Sequence, residues 1–278
     1  MKLVKEMMDL TSRVAMITGA TGLLGVKHAE AIAEMGGIPV ILDLEEARCQ
    51  EVAHTISKRF GVDAIGIKTD ITRADDIERA LSTVLAKYGR VDILINNAAN
   101  NPKVDSGGLG SKAWSRVENF PLSIWEQDIA VGLTGAFLCC QIIGTEMANR
   151  GGGVVLNVAS DLAVIAPDQR IYRKDGLPED EQPVKPVTYS VVKSGLVGLT
   201  KYLATYWAQA GVRVNAISPG GVYVDQPPDF VTKLTNLIPI GRMAHQDEYK
   251  AVIVFLVSEA SSFMTGQNLV VDGGRTCW

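Results

Sequence analysis

A chain of 278 residues, 47% hydrophobic and 21% charged, is long for one domain but within the range of a single α/β domain with a large core. Its formal net charge of −4 gives no global attraction for nucleic acid or an anionic membrane. Cys49, Cys139, Cys140 and Cys277 form no CxxC pair, and His28, His54 and His245 are widely scattered. No metal site is expected, and the cysteines read as reduced thiols in a cytoplasmic protein.

Residues 1–10 alternate charged and apolar side chains and lack the apolar run of a signal peptide. No stretch approaches the roughly 20 apolar residues that span a bilayer. Residues 13–18 (RVAMIT) read as a buried strand, followed by a glycine turn and a helix over 23–35. Strands at 38–42, 64–68 and 91–95 alternate with helices at 45–60 and 74–88. One long helix fits 123–149. Strands at 153–159 and 212–217 flank a helix at 188–210, and a helix at 248–258 precedes a last strand at 268–271. Strands alternating with helices imply parallel crossovers. The expected fold is therefore a single-domain α/β Rossmann fold over 1–278, a doubly wound parallel sheet of about seven strands with helices on both faces. Residues 1–9 form an N-terminal extension. Two long irregular segments, 161–187 and 219–247, follow the carboxyl ends of strands, where open α/β sheets bind ligands.

The turn Thr18-Gly-Ala-Thr-Gly22-Leu-Leu-Gly25 joins the first strand to the first helix. Glycines let the backbone turn sharply and approach a pyrophosphate, whose charge suits a helix N-terminus. Asp43 follows the second strand, where an acidic residue can accept from ribose hydroxyls and repels a 2′-phosphate. It can also cap the next helix. No Arg or Lys lies in the glycine loop or directly after Asp43, so NAD is favoured over NADP.

Tyr189 and Lys193 are four residues apart, one helical turn, so both can lie on one helix face. A nearby ammonium favours the ionised phenol, and such a pair can exchange a proton with a substrate oxygen. Taken alone, the spacing also fits a surface tyrosine beside a solvated lysine.

Together these residues resemble the short-chain dehydrogenase/reductase family over 10–274. Asp70 matches the family's residue at the adenine, Asn96-Asn-Ala-Ala99 its NNAG motif, and Ser160, Tyr189 and Lys193 its catalytic residues. Pro219-Gly220 matches the turn beside the nicotinamide, and Val271-Asp-Gly-Gly274 the usual ending. The resemblance implies cofactor contacts at Gly19, Thr21, Gly22, Leu23, Leu24, Asp43, Leu44, Asp70, Ile71, Asn97, Ala98, Ala99, Tyr189, Lys193, Pro219, Gly220 and Val222. It implies that Tyr189 is the general acid/base, that Lys193 depresses its pKa and binds the ribose, and that Ser160 steadies the substrate oxygen. Ser160 could instead be the cap of a strand end, but Tyr189 supplies its expected partner and favours the catalytic role. A homodimer or homotetramer, formed through the long central helix and the Tyr189 helix, is a further implication.

Three positions depart from the family's compact branch. Leu23 stands where GxxxGxG requires glycine, and the spacing Gly19-x-x-Gly22-x-x-Gly25 resembles the branch that handles nucleotide sugars. Gly132 stands where an asparagine usually binds a water of the proton relay. Glycine inside a helix costs about 1 kcal/mol relative to alanine and hints at a bulge or a close approach. Ser160 and Tyr189 are separated by a charged, proline-punctuated insertion, in which Arg170, Tyr172, Arg173 and Lys174 could clamp a phosphate or carboxylate. Glu179, Asp180 and Glu181 suit hydroxyl-rich groups or water. The expected function is an NAD(P)-dependent oxidoreductase of a secondary alcohol or ketone on a polar, sugar-like small molecule, of the kind found in surface-sugar or nonulosonic acid pathways. A 3-oxoacyl-thioester reductase and a dinucleotide-binding regulatory protein without catalysis are the alternatives.

Overall fold

In β1 (Val14–Thr18) every side chain is buried, because the strand is covered on both faces. Ala15 and Ile17 enter one core and Val14 and Met16 the other. In the computed structural model, which describes residues 2–100 and 113–278, β1 pairs in parallel with β2 (Ile38–Asp43) on one side and β4 (Ile93–Asn96) on the other. Beyond β2 lies β3 (Ile65–Lys68). Beyond β4 come β5 (Gly153–Val158), β6 (Val212–Pro219) and β7 (Asn268–Val271), giving the order β3-β2-β1-β4-β5-β6-β7. The chain thus winds outward in both directions from β1 and β4. The crevice at their carboxyl ends is the switch point where such sheets bind ligands.

Helices Leu23–Glu34, Glu46–Phe60 and Lys250–Val257 cover one face, and Ala74–Tyr88, the central helix and Val187–Tyr206 the other. The central helix, Leu122–Asn149, is long and apolar enough by length and composition to cross a membrane, contrary to the expectation that no stretch approaches such a span. Here Cys139, Cys140, Ile143 and Met147 bury its inner face in the core. It is interrupted by two π-helical segments, Ala130–Thr134 and Cys140–Gly144. The first contains Gly132, where the sequence pointed to a bulge.

The two long segments differ from expectation. The sequence pattern predicts no element within 219–247, whereas a helix, Pro228–Thr235, starts there at a proline pair. It is two turns long, too short to reveal its period. The other segment, 161–187, folds as three 3-10 turns, Asp161–Ala163, Gln169–Tyr172 and Glu179–Glu181. Ile171 from one segment and Leu234, Ile238 and Met243 from the other form a small separate core. Tyr172 and Phe230 extend it, with ring centroids 5.6 Å apart.

Candidate active site

The glycine turn is built by close approach. Gly19 has φ +61°, and a Cβ there would meet Ala98 Cα at 2.8 Å; one on Gly25 would lie 2.2 Å from Gly19 O. No side chain caps the Leu23–Glu34 helix, so its first amides are open to an anion. Asn97 Nδ2 donates to the carbonyls of Thr18 and Gly19, both at 3.0 Å, and locks the turn to the end of β4. Asp43 accepts from Thr21 N at 3.0 Å and Thr21 Oγ1 at 2.7 Å through one oxygen, and from Leu44 N at 2.8 Å through the other. It does not cap the following helix, whose N-cap position is Glu45. Gly19, Thr21, Gly22, Leu23, Leu24, Asp43, Leu44, Asp70, Ile71, Asn97, Ala98 and Ala99 line one groove of about 1110 Å³. A glycine cradle, an uncapped helix start and a carboxylate beyond it fit a dinucleotide.

Tyr189, Lys193 and Gly132 line a second, tight cavity with Asp128, Lys185 and Thr188. Its free volume is about 10 Å³, roughly room for one water. Ala99 and Asn100 line both spaces. Ser160 lies two residues past β5, caps the 3-10 turn Asp161–Ala163 and is 4% exposed. Its hydroxyl donates to Asp161 Oδ1 at 2.8 Å, accepts from Leu162 N at 3.2 Å and reaches the Tyr189 phenol. The capping role and the site role therefore coexist. Lys193 Nζ donates to Val158 O at 2.7 Å.

The electrostatics correct one expectation. Burial pushes the Tyr189 phenol up; its hydrogen bond with Ser160 pulls the other way, and the Asp161 carboxylate adds to the rise. Lys193, whose Nζ lies 6.0 Å from the ring centroid and donates one hydrogen bond to Val158 O, does not outweigh that rise. Lys193 itself is pushed down to about 8 by burial and by Lys185. Lys185 sits 3.8 Å over the Tyr189 ring and is likewise pushed down to about 8 by burial, against the pull of Asp161 and Asp128.

Residues 13–172 match the short chain dehydrogenase family, and residues 181–276 match a family described as enoyl-(acyl carrier protein) reductase. The chain belongs to the short-chain dehydrogenases. It is 33% identical over 273 residues to an NAD-dependent glycerol dehydrogenase of Listeria innocua, covering 96% of this chain and 95% of that one. To a D-threitol dehydrogenase of Mycolicibacterium smegmatis it is 34% identical over 274 residues, covering 96% and 94%. Among solved structures, a gluconate 5-dehydrogenase of Burkholderia cenocepacia, in complex with NADP and tartrate, superposes with a TM-score of 0.83 at 26% identity, covering 99% and 100%. This short-chain dehydrogenase is thus an oxidoreductase with a nicotinamide cofactor, in a family with named alcohol dehydrogenases.

Not every expected residue falls in the groove or the tight cavity. Gly220 lines a separate space of about 120 Å³ with Asp272 and Gly273, Pro219 closes β6, and Val222 bridges to Ala244. The insertion forms no cationic clamp. Arg170 pairs with Asp168 at 2.7 Å and Arg173 with Glu179 at 2.6 Å, each within its own loop. Tyr172 turns inward instead, and burial pushes its phenol up to about 12. Sequence reasoning missed Lys185, although it stands four residues before Tyr189 as Lys193 stands four after. It also missed Arg48, which lines the cofactor groove and whose Nη2 donates to Thr21 O at 3.5 Å. Asn157 was missed too; it accepts from Asn96 Nδ2 at 2.9 Å and donates to Thr200 Oγ1 at 2.8 Å, tying β4 and β5 to the Tyr189 helix. Arg275 carried no sequence signal.

Proposed function

We propose that this short-chain dehydrogenase interconverts a secondary alcohol and its ketone on a polyol or similar hydroxyl-rich, sugar-like substrate, with NAD preferred over NADP. The observation that carries the reading is Tyr189, in one small cavity with Lys193 and hydrogen-bonded to Ser160. When bound, the nicotinamide supplies hydride exchange at the carbinol carbon. Tyr189 takes the hydroxyl proton as the carbinol becomes a carbonyl, and returns it in the reverse direction. Ser160 hydrogen-bonds the same oxygen, and Lys193 holds the ribose. Gly19, Gly22 and the first amides of the following helix hold the pyrophosphate. Because burial favours the neutral phenol, oxidation gains with rising pH through the Tyr189 ionisation.

Asp43 supports NAD: three donors fix its carboxylate in the groove, where a 2′-phosphate would be repelled. Arg48 works in the opposite sense but is exposed at the rim. Two polyol dehydrogenases among the relatives, and insertion arginines already paired with carboxylates, support a neutral hydroxyl-rich substrate over a phosphate. A second reading, reduction of a 3-oxoacyl thioester, is favoured by a relative 30% identical over 269 residues, a 3-oxoacyl-(acyl-carrier-protein) reductase of Aquifex aeolicus. Homo-oligomerisation through the central and Tyr189 helices belongs to the proposal, since Phe137, Val191, Tyr202 and Tyr206 are large apolar side chains exposed there. So does a cytoplasmic setting, which the free thiols of Cys49, Cys139 and Cys140 suit.

The test is turnover with NAD⁺ on glycerol, D-threitol and other polyols, and with NADH on a 3-oxoacyl thioester. Turnover confined to the thioester would overturn the substrate class.

A further inference from the structure

We propose that the buried ion pair Asp161–Arg275 is a positioning device that directs the Ser160 hydroxyl and thereby sets how readily Tyr189 loses its proton. This deepens the proposed function and rests on its acid/base reading of Tyr189.

Asp161 and Arg275 are 114 residues apart in the chain and only 3% and 7% exposed. Arg275 Nη1 donates to Asp161 Oδ2 at 2.7 Å, while Asp161 Oδ1 accepts from Ser160 Oγ and Leu162 N, both at 2.8 Å. A hydroxyl has one proton, and the carboxylate of an ion pair only accepts. Asp161 therefore competes with Tyr189 for the Ser160 proton: when Asp161 takes it, Ser160 only accepts from the phenol, and the lowering that a Ser160 donor gives Tyr189 is lost. That arrangement favours the neutral phenol, and so does the carboxylate charge itself. Arg275 offsets the charge and fixes the carboxylate.

Arg275 is in turn well anchored. Asp272 accepts from Gly274 N at 2.9 Å through Oδ1 and from Thr276 N at 2.7 Å through Oδ2, which shapes the final turn. Asp272 also abuts Gly220, where a Cβ would lie 2.8 Å from its Cα. The C-terminal turn is thus fastened to the end of β6 and delivers a guanidinium behind the catalytic serine. Stability alone does not explain the pair, since well-packed apolar residues usually replace buried ion pairs without loss.

The charged and titratable groups around Tyr189 give the pair a definite sign. Lys185 lies over the ring and Lys193 one turn along the helix. Asp128 faces Lys185 from the central helix. Tyr172, from the insertion, lies among Arg275, Tyr189 and Asp161. Against this fixed background, Asp161→Asn removes the negative charge and loosens the hold on the Ser160 proton, so Tyr189 ionises at lower pH. Arg275→Gln leaves the carboxylate uncompensated, so Tyr189 ionises at higher pH. The double variant returns towards the wild type.

The experiment is a tyrosinate absorbance titration of the full chain, each variant measured against its own Tyr189→Phe counterpart, with melting temperature recorded alongside. The expected order of Tyr189 midpoints is Asp161→Asn, then wild type and double variant together, then Arg275→Gln. Equal midpoints, or single variants that shift in the same direction, would overturn the proposal, because a merely structural pair lowers melting in both singles without splitting the midpoints. If Arg275→Gln does not fold, Asp161→Asn must still titrate below the double variant. No substrate is needed, so failure of the polyol assignment leaves this result intact. Undiminished turnover by Tyr189→Phe would remove the acid/base reading and leave the midpoint order to stand on its own.

Discussion

Gly132 and Val192 are in direct opposition: a Cβ on Gly132 would lie 2.5 Å from Val192 Cγ1. Val192 stands on the Tyr189 helix, three residues past the tyrosine, so a side chain at position 132 would require that valine to shift. The π-helical segment around Gly132 accompanies the close contact. Overpacking costs typically about 1–3 kcal/mol. Gly132→Ala should lower stability in urea unfolding by that amount less the roughly 1 kcal/mol that alanine gains over glycine in a helix, and Val192→Ala in the same chain should recover the loss. A Gly132→Ala chain stabilised by the full helical gain, with or without Val192→Ala, would refute the contact.

Cofactor choice is expected to follow Asp43. Fluorescence titration should give tighter binding of NADH than of NADPH. Asp43→Ser should narrow the difference by about tenfold or more, some 1.4 kcal/mol, by removing the charge that opposes a 2′-phosphate. Arg48→Ala should weaken NADPH and leave NADH nearly untouched. Tighter NADPH binding by the wild type would contradict the role given to Asp43.

Acid stability should report His28, fully buried in the helix behind the glycine turn. Burial pushes its imidazole down to about 4, against a smaller opposing pull from Asn97. Below the ordinary histidine value near 6.5 the unfolded chain takes up a proton that the folded chain refuses. Stability is therefore lost as pH falls from about 6.5 to 4, by about 3 kcal/mol. The carboxylates with lowered values, such as Asp168 and Glu248, act below about pH 4.5. His28→Gln should flatten the slope above that pH. A slope of the same size in the variant would rule the histidine out.

The small core of Ile171, Leu234, Ile238 and Met243, extended by Tyr172 and Phe230, couples the two long segments. Phe230→Ala removes the ring that Tyr172 packs on. It should raise KM for substrate several-fold and leave the NADH dissociation constant unchanged, because the cofactor groove is lined by other residues. Equal weakening of both would mean that the cluster supports the whole site rather than its substrate side.

Much of this was legible in the sequence, because the strands are buried on both faces and read as continuous apolar runs. The glycine turn, Asp43 and Asn97 were legible because each sits at a fixed offset from a strand end. Lys185 lies just before the helix whose period displays Tyr189 and Lys193, so the pattern search passed over it. Asp161 and Arg275 were hidden for a different reason: their partnership is purely tertiary, and local spacing carries no trace of it. The arginines of the insertion looked like a clamp because sequence supplies charge but not partners. Asp168 and Glu179 neutralise them locally.

The central claim, that Tyr189 exchanges the proton during alcohol oxidation, is tested most directly by initial rates of NAD⁺ reduction on D-threitol and glycerol by the wild type and Tyr189→Phe. NADH binding, measured in parallel, establishes that the variant is folded. The account predicts turnover by the wild type and a loss of about 10²–10⁴-fold in kcat for the variant, with NADH affinity retained. A Tyr189→Phe enzyme that turns over as fast as the wild type would contradict it.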